Sequence, residues 1–233
     1  MTVAAVLLFP DVERALADTA GRPAVRRMVE SAWAGGATPI VVVAADEGGR
    51  VASALAGSPA VLAEPAPAAG AAVQALRGLR LASERVTETE AVLLWPGRMV
   101  WVDAETMTSL IEAHGADRAA VLRPVYEGEV GWPALLPVIS VAQLGEPHPG
   151  RSLDELLAAL LHGSARLRTV ETGDPGTVLD LNTPIDALPP YAGPPAPVAG
   201  PAPEWGAAAA EGSDESPLAG PALAPYGQAT QEE

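Results

Sequence analysis

Two short apolar runs rich in β-branched residues, Val3 to Phe9 and Ile40 to Ala44, flank a segment with helical periodicity. Runs without polar alternation belong in strands buried on both faces, the situation of a parallel sheet with helices on each side. Between them Val25, Met28, Val29, Ala32 and Trp33 recur at spacings of three and four. Pro23 suits the first turn, and Gly35-Gly36 supplies a stop. Strand, helix and strand at this separation make a βαβ unit, with Met28 and Trp33 expected in its core.

The pattern repeats downstream. A weak strand at Val61-Leu62 precedes a helix from Gly70 to Leu81, a strand from Ala91 to Trp95 and a helix from Ala104 to His114. A strand from Ala119 to Val125, a helix from Ser152 to Leu161 and a strand from Leu167 to Glu171 follow. This alternation predicts an α/β domain of three layers, Rossmann-like, with a mostly parallel sheet. Ligands of such sheets bind beyond the carboxyl ends of the strands, near the point where strand order reverses. The residues after Leu8, Trp95 and Leu181 are therefore the ones to watch.

Composition narrows the partners. The chain has 233 residues, 48% of them hydrophobic, enough for one buried core. Its 14 basic residues are all arginine and face 29 acids, a net charge of -15. Such a surface repels phosphate backbones and anionic lipid, which argues against nucleic acid and membrane partners. Arg22, Arg26 and Arg27 form an ordinary charged helix face rather than a basic patch. The absence of cysteine excludes disulfides, thiolate metal sites and a thiol nucleophile. His114, His148 and His162 lie too far apart in the sequence for a metal-ligand pattern and are expected at the surface. No stretch reaches the roughly 18 apolar residues of a membrane span, and the first ten residues lack a basic leader. A cytoplasmic protein is expected.

Beyond Leu188 the composition changes. Ten prolines, many Ala and Gly, six acids and no basic residue leave few large apolar side chains. Burial there cannot offset ordering entropy, so residues 1–188 are read as the folded domain and 189–233 as a disordered acidic tail. Trp205 and Tyr226 are the tail's two candidate anchors for a protein partner.

Several landmarks occur in a familiar order. Gly21-Arg22-Pro23 precedes the first helix and Ala37-Thr38-Pro39 the second strand. Glu64-Pro65, Gly70 and Gly78-Leu79 follow at the spacing of an N-P, G and G-L series. Pro124-Val125-Tyr126-Glu127-Gly128 and Gly131-Trp132-Pro133-Ala134-Leu135 are similar to P-x-Y-x-G and G-H-P-V-L. Asp174-Pro175-Gly176 matches D-P-G, and Asp180 to Asp186 nearly spells D-[IV]-D-T-P-E-D. Over residues 1 to about 188 the chain thus resembles the MobA-like NTP transferases, which include the molybdenum-cofactor guanylyl- and cytidylyltransferases.

That resemblance implies a nucleotidyltransferase fold and a known reaction. A phosphate on an acceptor attacks the α-phosphate of an NTP, pyrophosphate leaves, and Mg²⁺ with cationic side chains neutralises the charge. Three elements supply this in the family, and each departs here. The glycine-rich phosphate loop is replaced by Leu8 to Asp18, which has no glycine, no lysine and three acids; Pro10 also removes an N–H donor. Arg14 alone is left as a candidate phosphate contact, against its reading as a solvated side chain. Aligning Gly97 with the glycine of G-D-x-P puts Arg98 at the first metal aspartate, and a cation repels Mg²⁺. Asn182 stands at the second, contributing a carbonyl without charge. Gln74 replaces a serine and Trp132 the histidine of G-H-P.

These departures predict a degenerate site, with Arg98 and Asn182 at the former metal positions, no catalytic residues and no cofactor retained. The expected function is a non-catalytic binding or regulatory protein. The alternative is an active enzyme moving an NMP from an NTP to a phosphorylated small molecule, with Arg98 replacing the metal's charge as a bidentate fork. In either case the candidate nucleotide contacts are Arg14, Arg22, Arg98, Gly70 and Gln74. An open cleft behind Leu8 favours the enzyme, and one filled by Phe9, Trp95 or Trp101 the binding protein. Asp180 and Asp186 are read as structural, with Thr183 capping a short helix.

Overall fold

The computed structural model describes residues 2–66, 70–142, 152–163 and 166–193. Residues 194–233 of the tail, with Trp205 and Tyr226, lie outside these residues, as does His148. Among the described residues eight strands form one sheet: β1 (Thr2–Leu8), β2 (Ile40–Val43), β3 (Ala60–Ala63), β4 (Thr89–Pro96), β5 (Ala120–Tyr126), β6 (Glu129–Val130), β7 (Ala134–Pro137) and β8 (Arg166–Glu171). Their order is β3-β2-β1-β4-β7-β5-β6, with β8 also pairing β5. The pairs β1–β2, β1–β4, β2–β3 and β5–β8 are parallel. β7 runs antiparallel between β4 and β5.

Seven α-helices accompany the sheet among the described residues: α1 (Val12–Leu16), α2 (Ala24–Ala34), α3 (Arg50–Ala54), α4 (Ala71–Arg85), α5 (Ala104–Ala116), α6 (Val138–Ala142) and α7 (Leu153–Gly163). Consecutive residues of β1, β2 and β4 are buried, so both faces of the sheet are covered, as the apolar runs require. Helix α4 approaches so closely that a Cβ on Gly78 would enter the space of Val6. A mid-helix glycine costs about 1 kcal/mol in helix propensity, and here it permits that approach.

Three expectations differ from the structure. The Gly131 to Leu135 landmark leads into strand β7, which the alternating reading omits. Its four residues follow the β5–β6 hairpin and carry no period of their own. Trp33 is 56% exposed rather than in the core. Ser31 and Gly35 both face the start of α5, through the Ser31 hydroxyl to Val102 O and the tight approach of Gly35 to Met107. Trp33, two residues from each, is rotated roughly 200° away from them. His114 is 1% exposed because it extends the buried stripe of Thr106, Met107 and Leu110 on α5.

Among the described residues no helix is long and apolar enough to cross a membrane.

Candidate functional site

Strand order reverses at β1, whose chain neighbours leave towards β2 on one side and return through β4 on the other. The crevice beyond Leu8 and Pro96 is the place where such a sheet binds ligands, and it holds an open cavity of about 620 Å³. Leu8, Phe9, Val43, Pro65, Pro96 and Leu153 give it a largely apolar wall, and Arg14, Arg98, Gln74 and Asp154 add the polar groups. Gly70, at the start of α4, completes the rim. Arg14, Arg98, Gly70 and Gln74 are thus brought to one cavity. Arg22 is not: it lies exposed on the flank of α2, paired with Glu30 at 3.0 Å.

The three aromatic candidates do not close the cleft. Phe9 lines it, with its ring packed over Gly97. Trp95 is fully buried and donates its indole N–H to Met99 O at 2.8 Å. Trp101 donates to Asp180 O and Thr183 O, both at 3.1 Å, while the Arg27 guanidinium lies 5.2 Å above its ring. Arg27 also donates to the hydroxyl and carbonyl of Thr19, and burial lowers its pKa. Together these contacts tie the loop after β1 to the 180–183 loop.

The loop that would cradle phosphates is occupied by the chain itself. Asp11 caps α1, its Oδ1 accepting the Arg14 N–H at 2.7 Å, and Asp18 Oδ1 accepts the Gly21 N–H at 2.9 Å. A carboxylate therefore sits where backbone donors would meet a phosphate oxygen. Arg14 lies 3.8 Å from the same Asp11 carboxylate, which offsets its charge. On the opposite wall the Gln74 carboxamide makes two hydrogen bonds of 2.9 Å with the N–H and carbonyl of Ala66, pinning the loop after β3.

The segments that carry Arg98 and Asn182 are joined through the backbone. The Leu181 N–H donates to Arg98 O at 2.8 Å, placing the 180–182 turn against the end of β4. Asp180 closes that turn, accepting the Asn182 N–H at 2.9 Å and its side-chain amide at 3.1 Å. The short helix after Thr183 is one 3₁₀ turn, Ile185–Ala187, whose N-cap is Pro184 with no side-chain bond. Thr183 is one residue too early to cap it, a correction to the sequence reading. Among the described residues no group of three His, Cys, Asp or Glu side chains could hold a metal ion. Residues Arg98, Asp180 and Asn182 offer one carboxylate, one amide and a guanidinium, which do not fit Mg²⁺.

Asp174 is a buried polar anchor. Its carboxylate accepts from the Asp103 N–H at 2.9 Å, the Thr106 hydroxyl at 2.7 Å and the Gly176 N–H at 2.8 Å. Burial pushes its pKa up, and these hydrogen bonds pull it back. A Cβ on Gly176 would overlap the backbone of Trp101, so the D-P-G loop and the start of α5 are held together beside the cleft. Nearby, Arg123 on β5 donates from Nε to Gly131 O at 2.6 Å and stacks over Trp132 at 4.4 Å. Sequence reasoning passed over Arg123, although a lone charge inside the apolar run Ala120 to Tyr126 was a visible signal.

A mostly parallel sheet with its cleft at the β1–β4 switch point defines a Rossmann-like α/β protein with a ligand cleft at the ends of its strands. The sequence model of the MobA-like NTP transferase domain matches residues 11–168, and the chain belongs to that family. Among solved structures it is similar to a nucleotidyl transferase from Methanothermobacter thermautotroptrophicus, at 18% identity over 78% of this chain and 92% of that one, with a TM-score of 0.64. A Mycobacterium tuberculosis protein solved in complex with manganese shares 19% identity over 73% and 89% of the two chains, TM-score 0.55. The 4-diphosphocytidyl-2C-methyl-D-erythritol synthase of Anaerococcus prevotii shares 10% over 76% and 91%, TM-score 0.59. At these identities the likeness establishes the fold alone. No protein of curated function matches the chain.

Proposed function

We propose that this chain is a metal-independent binding protein on the nucleotidyltransferase fold, cytoplasmic, taking a nucleotide-sized ligand in its cleft without transferring it. One observation carries this reading: a backbone hydrogen bond from Leu181 to Arg98 joins the segments that carry Arg98 and Asn182, and neither of those side chains is a carboxylate. A dication held there would face a guanidinium and a single acid, Asp180, whose oxygens already accept from Asn182. Transfer needs the α- and β-phosphate charge neutralised as pyrophosphate leaves, and an exposed Arg14 beside Asp11 is a poor substitute. The acidic tail is the proposed docking element for a protein partner, in keeping with a regulatory role.

The open cavity with Arg14 and Arg98 in its wall favours a second reading, in which Arg98 replaces the metal's charge in an active nucleotidyltransferase. Calorimetric titration with CTP, GTP and ATP, with and without Mg²⁺, combined with a pyrophosphate-release assay on phosphorylated acceptors, separates the two. The binding reading expects affinity that is indifferent to Mg²⁺ and no pyrophosphate. Turnover abolished by Arg98→Ala would establish the second reading, and a strict Mg²⁺ requirement would overturn the assignment of both metal positions.

A further inference from the structure

Four arginines are half-buried among the described residues: Arg26, Arg27, Arg98 and Arg123. Three of them hold partners. Arg26 pairs with Glu30 and donates to Ala56 O, Arg27 donates twice to Thr19, and Arg123 donates to Gly131 O above the Trp132 ring. The Arg98 guanidinium lines the cavity and has neither an acid nor a hydrogen-bond partner among the described residues. A charge taken partly out of water is costly unless it is paired. The backbone beneath this one is fixed from two sides: the Gly97 N–H donates to Leu8 O at 2.7 Å, and the Arg98 carbonyl accepts the Leu181 N–H at 2.8 Å. Arg98 is thus presented to the cleft from a rigid base. The other charges of the wall are differently placed. Arg14 stands 3.8 Å from Asp11, and Asp154 is exposed in the first turn of α7, where the helix dipole favours a carboxylate. Among the described residues Arg98 is therefore the one cation of the cavity wall without an acid beside it.

We propose that Arg98 is the anion-holding group of the cleft, and that its ligand is a monoanion of nucleoside size with a largely apolar body, a carboxylate or a phosphodiester. The proposal rests on the metal-independent binding reading and names the ligand class of the same cleft. One guanidinium fork satisfies two acceptor oxygens and one negative charge, which a carboxylate and a phosphodiester both present. Each further phosphate of a polyphosphate would add charge facing Asp154 and Asp11, in a chain that has no lysine and a net charge of -15. The cavity of about 620 Å³ has room for such a ligand, and Leu8, Phe9, Val43, Pro65 and Pro96 supply the apolar wall against which its body packs.

The test is fluorescence titration of the full chain, without Mg²⁺, with two dyes that share one apolar body. Anilinonaphthalene sulfonate carries a single negative charge, and phenylnaphthylamine is its uncharged counterpart. Arg98→Gln should weaken the sulfonate about 10- to 100-fold, the loss of one charge-assisted contact. Unchanged affinity for the uncharged dye in that variant reports an intact cleft. Competition against the bound sulfonate then uses cyclic AMP and cyclic GMP as phosphodiesters, decanoate as a carboxylate, and CTP, GTP and ATP as polyphosphates. A monoanion is expected to displace the dye at a concentration at least about tenfold below that of any triphosphate, and whether it is a phosphodiester or the carboxylate names the source. Equal sulfonate affinity in the parent and Arg98→Gln overturns the proposal, as does a dye that no monoanion displaces. A triphosphate effective at the lower concentration overturns it too, while leaving the metal-independent binding reading intact. If neither dye binds the proposal fails, and if calorimetry finds no nucleotide binding either, that reading fails with it.

Discussion

Replacing His114 by methionine should stabilise this protein, and the effect should grow as the pH falls. His114 is 1% exposed on α5, and neither ring nitrogen has a hydrogen-bond partner among the described residues. A buried polar group left unpaired costs roughly 1–3 kcal/mol, which methionine, unbranched and a good helix former, would recover. For a domain of this size that corresponds to a rise in Tm of roughly 2–12 °C. Burial lowers the pKa of His114; Glu90 and Asp117 favour its charged form, and Arg118 opposes it. Above about pH 6.5 the imidazole is neutral in both the folded and unfolded chain. Below it the unfolded chain takes up a proton that the folded state resists, so stability falls by up to about 1.4 kcal/mol per pH unit until the folded pKa is reached. Paired melts of the parent and His114→Met from pH 8 to pH 5, read as the difference in Tm, isolate this contribution from the carboxylates common to both. A variant that melts lower at pH 7.5, or a Tm difference that does not widen between pH 6.5 and pH 5, refutes the reasoning.

Gly97→Ala would place a Cβ within the space of the Phe9 ring and the Leu8 carbonyl; a loss of about 1–3 kcal/mol and weaker ligand binding are expected, measured by melting and titration. Trp101→Phe takes the indole donor from the Thr183 carbonyl and from the Asp180 carbonyl, which keeps the Thr183 N–H, and should cost about 1–3 kcal/mol while increasing hydrogen exchange across residues 180–183. Restoring carboxylates with Arg98→Asp and Asn182→Asp should create Mn²⁺ affinity at least about tenfold above the parent, because the two hydrogen-bonded segments then carry three acids, Asp180 and the two introduced. Calorimetry with Mn²⁺ reads this directly, and no gain would mean that the two positions do not share a metal site.

The sheet was largely legible because its strands are buried on both faces, so Val3 to Phe9 and Ile40 to Ala44 announce themselves as unbroken apolar runs. The cleft was legible for a different reason: the switch-point rule names the ends of β1 and β4, and Arg14, Arg98, Gly70 and Gln74 all line the cavity there. What escaped was set by tertiary contact. The position of β7 depends on pairing with β4 and β5 rather than on its own four residues. Trp33 carries the right spacing for burial, but the helix end rolls so that Ser31 and Gly35 meet α5. Nor does spacing say that Asp11 folds back to cap α1, or that Gln74 spends its amide on Ala66, since both bonds form across turns that the alternation does not describe.

Those two bonds bear on why the cleft persists without the catalytic groups. A phosphate loop rich in glycine leaves backbone donors that only a ligand satisfies, and an unpaired donor in a partly buried site is costly. In this chain Asp11 and Asp18 supply acceptors to the loop, and Gln74 does so for Ala66. The cleft is therefore preorganised in the empty protein, and the cost that ligand or metal would otherwise offset has been removed from it.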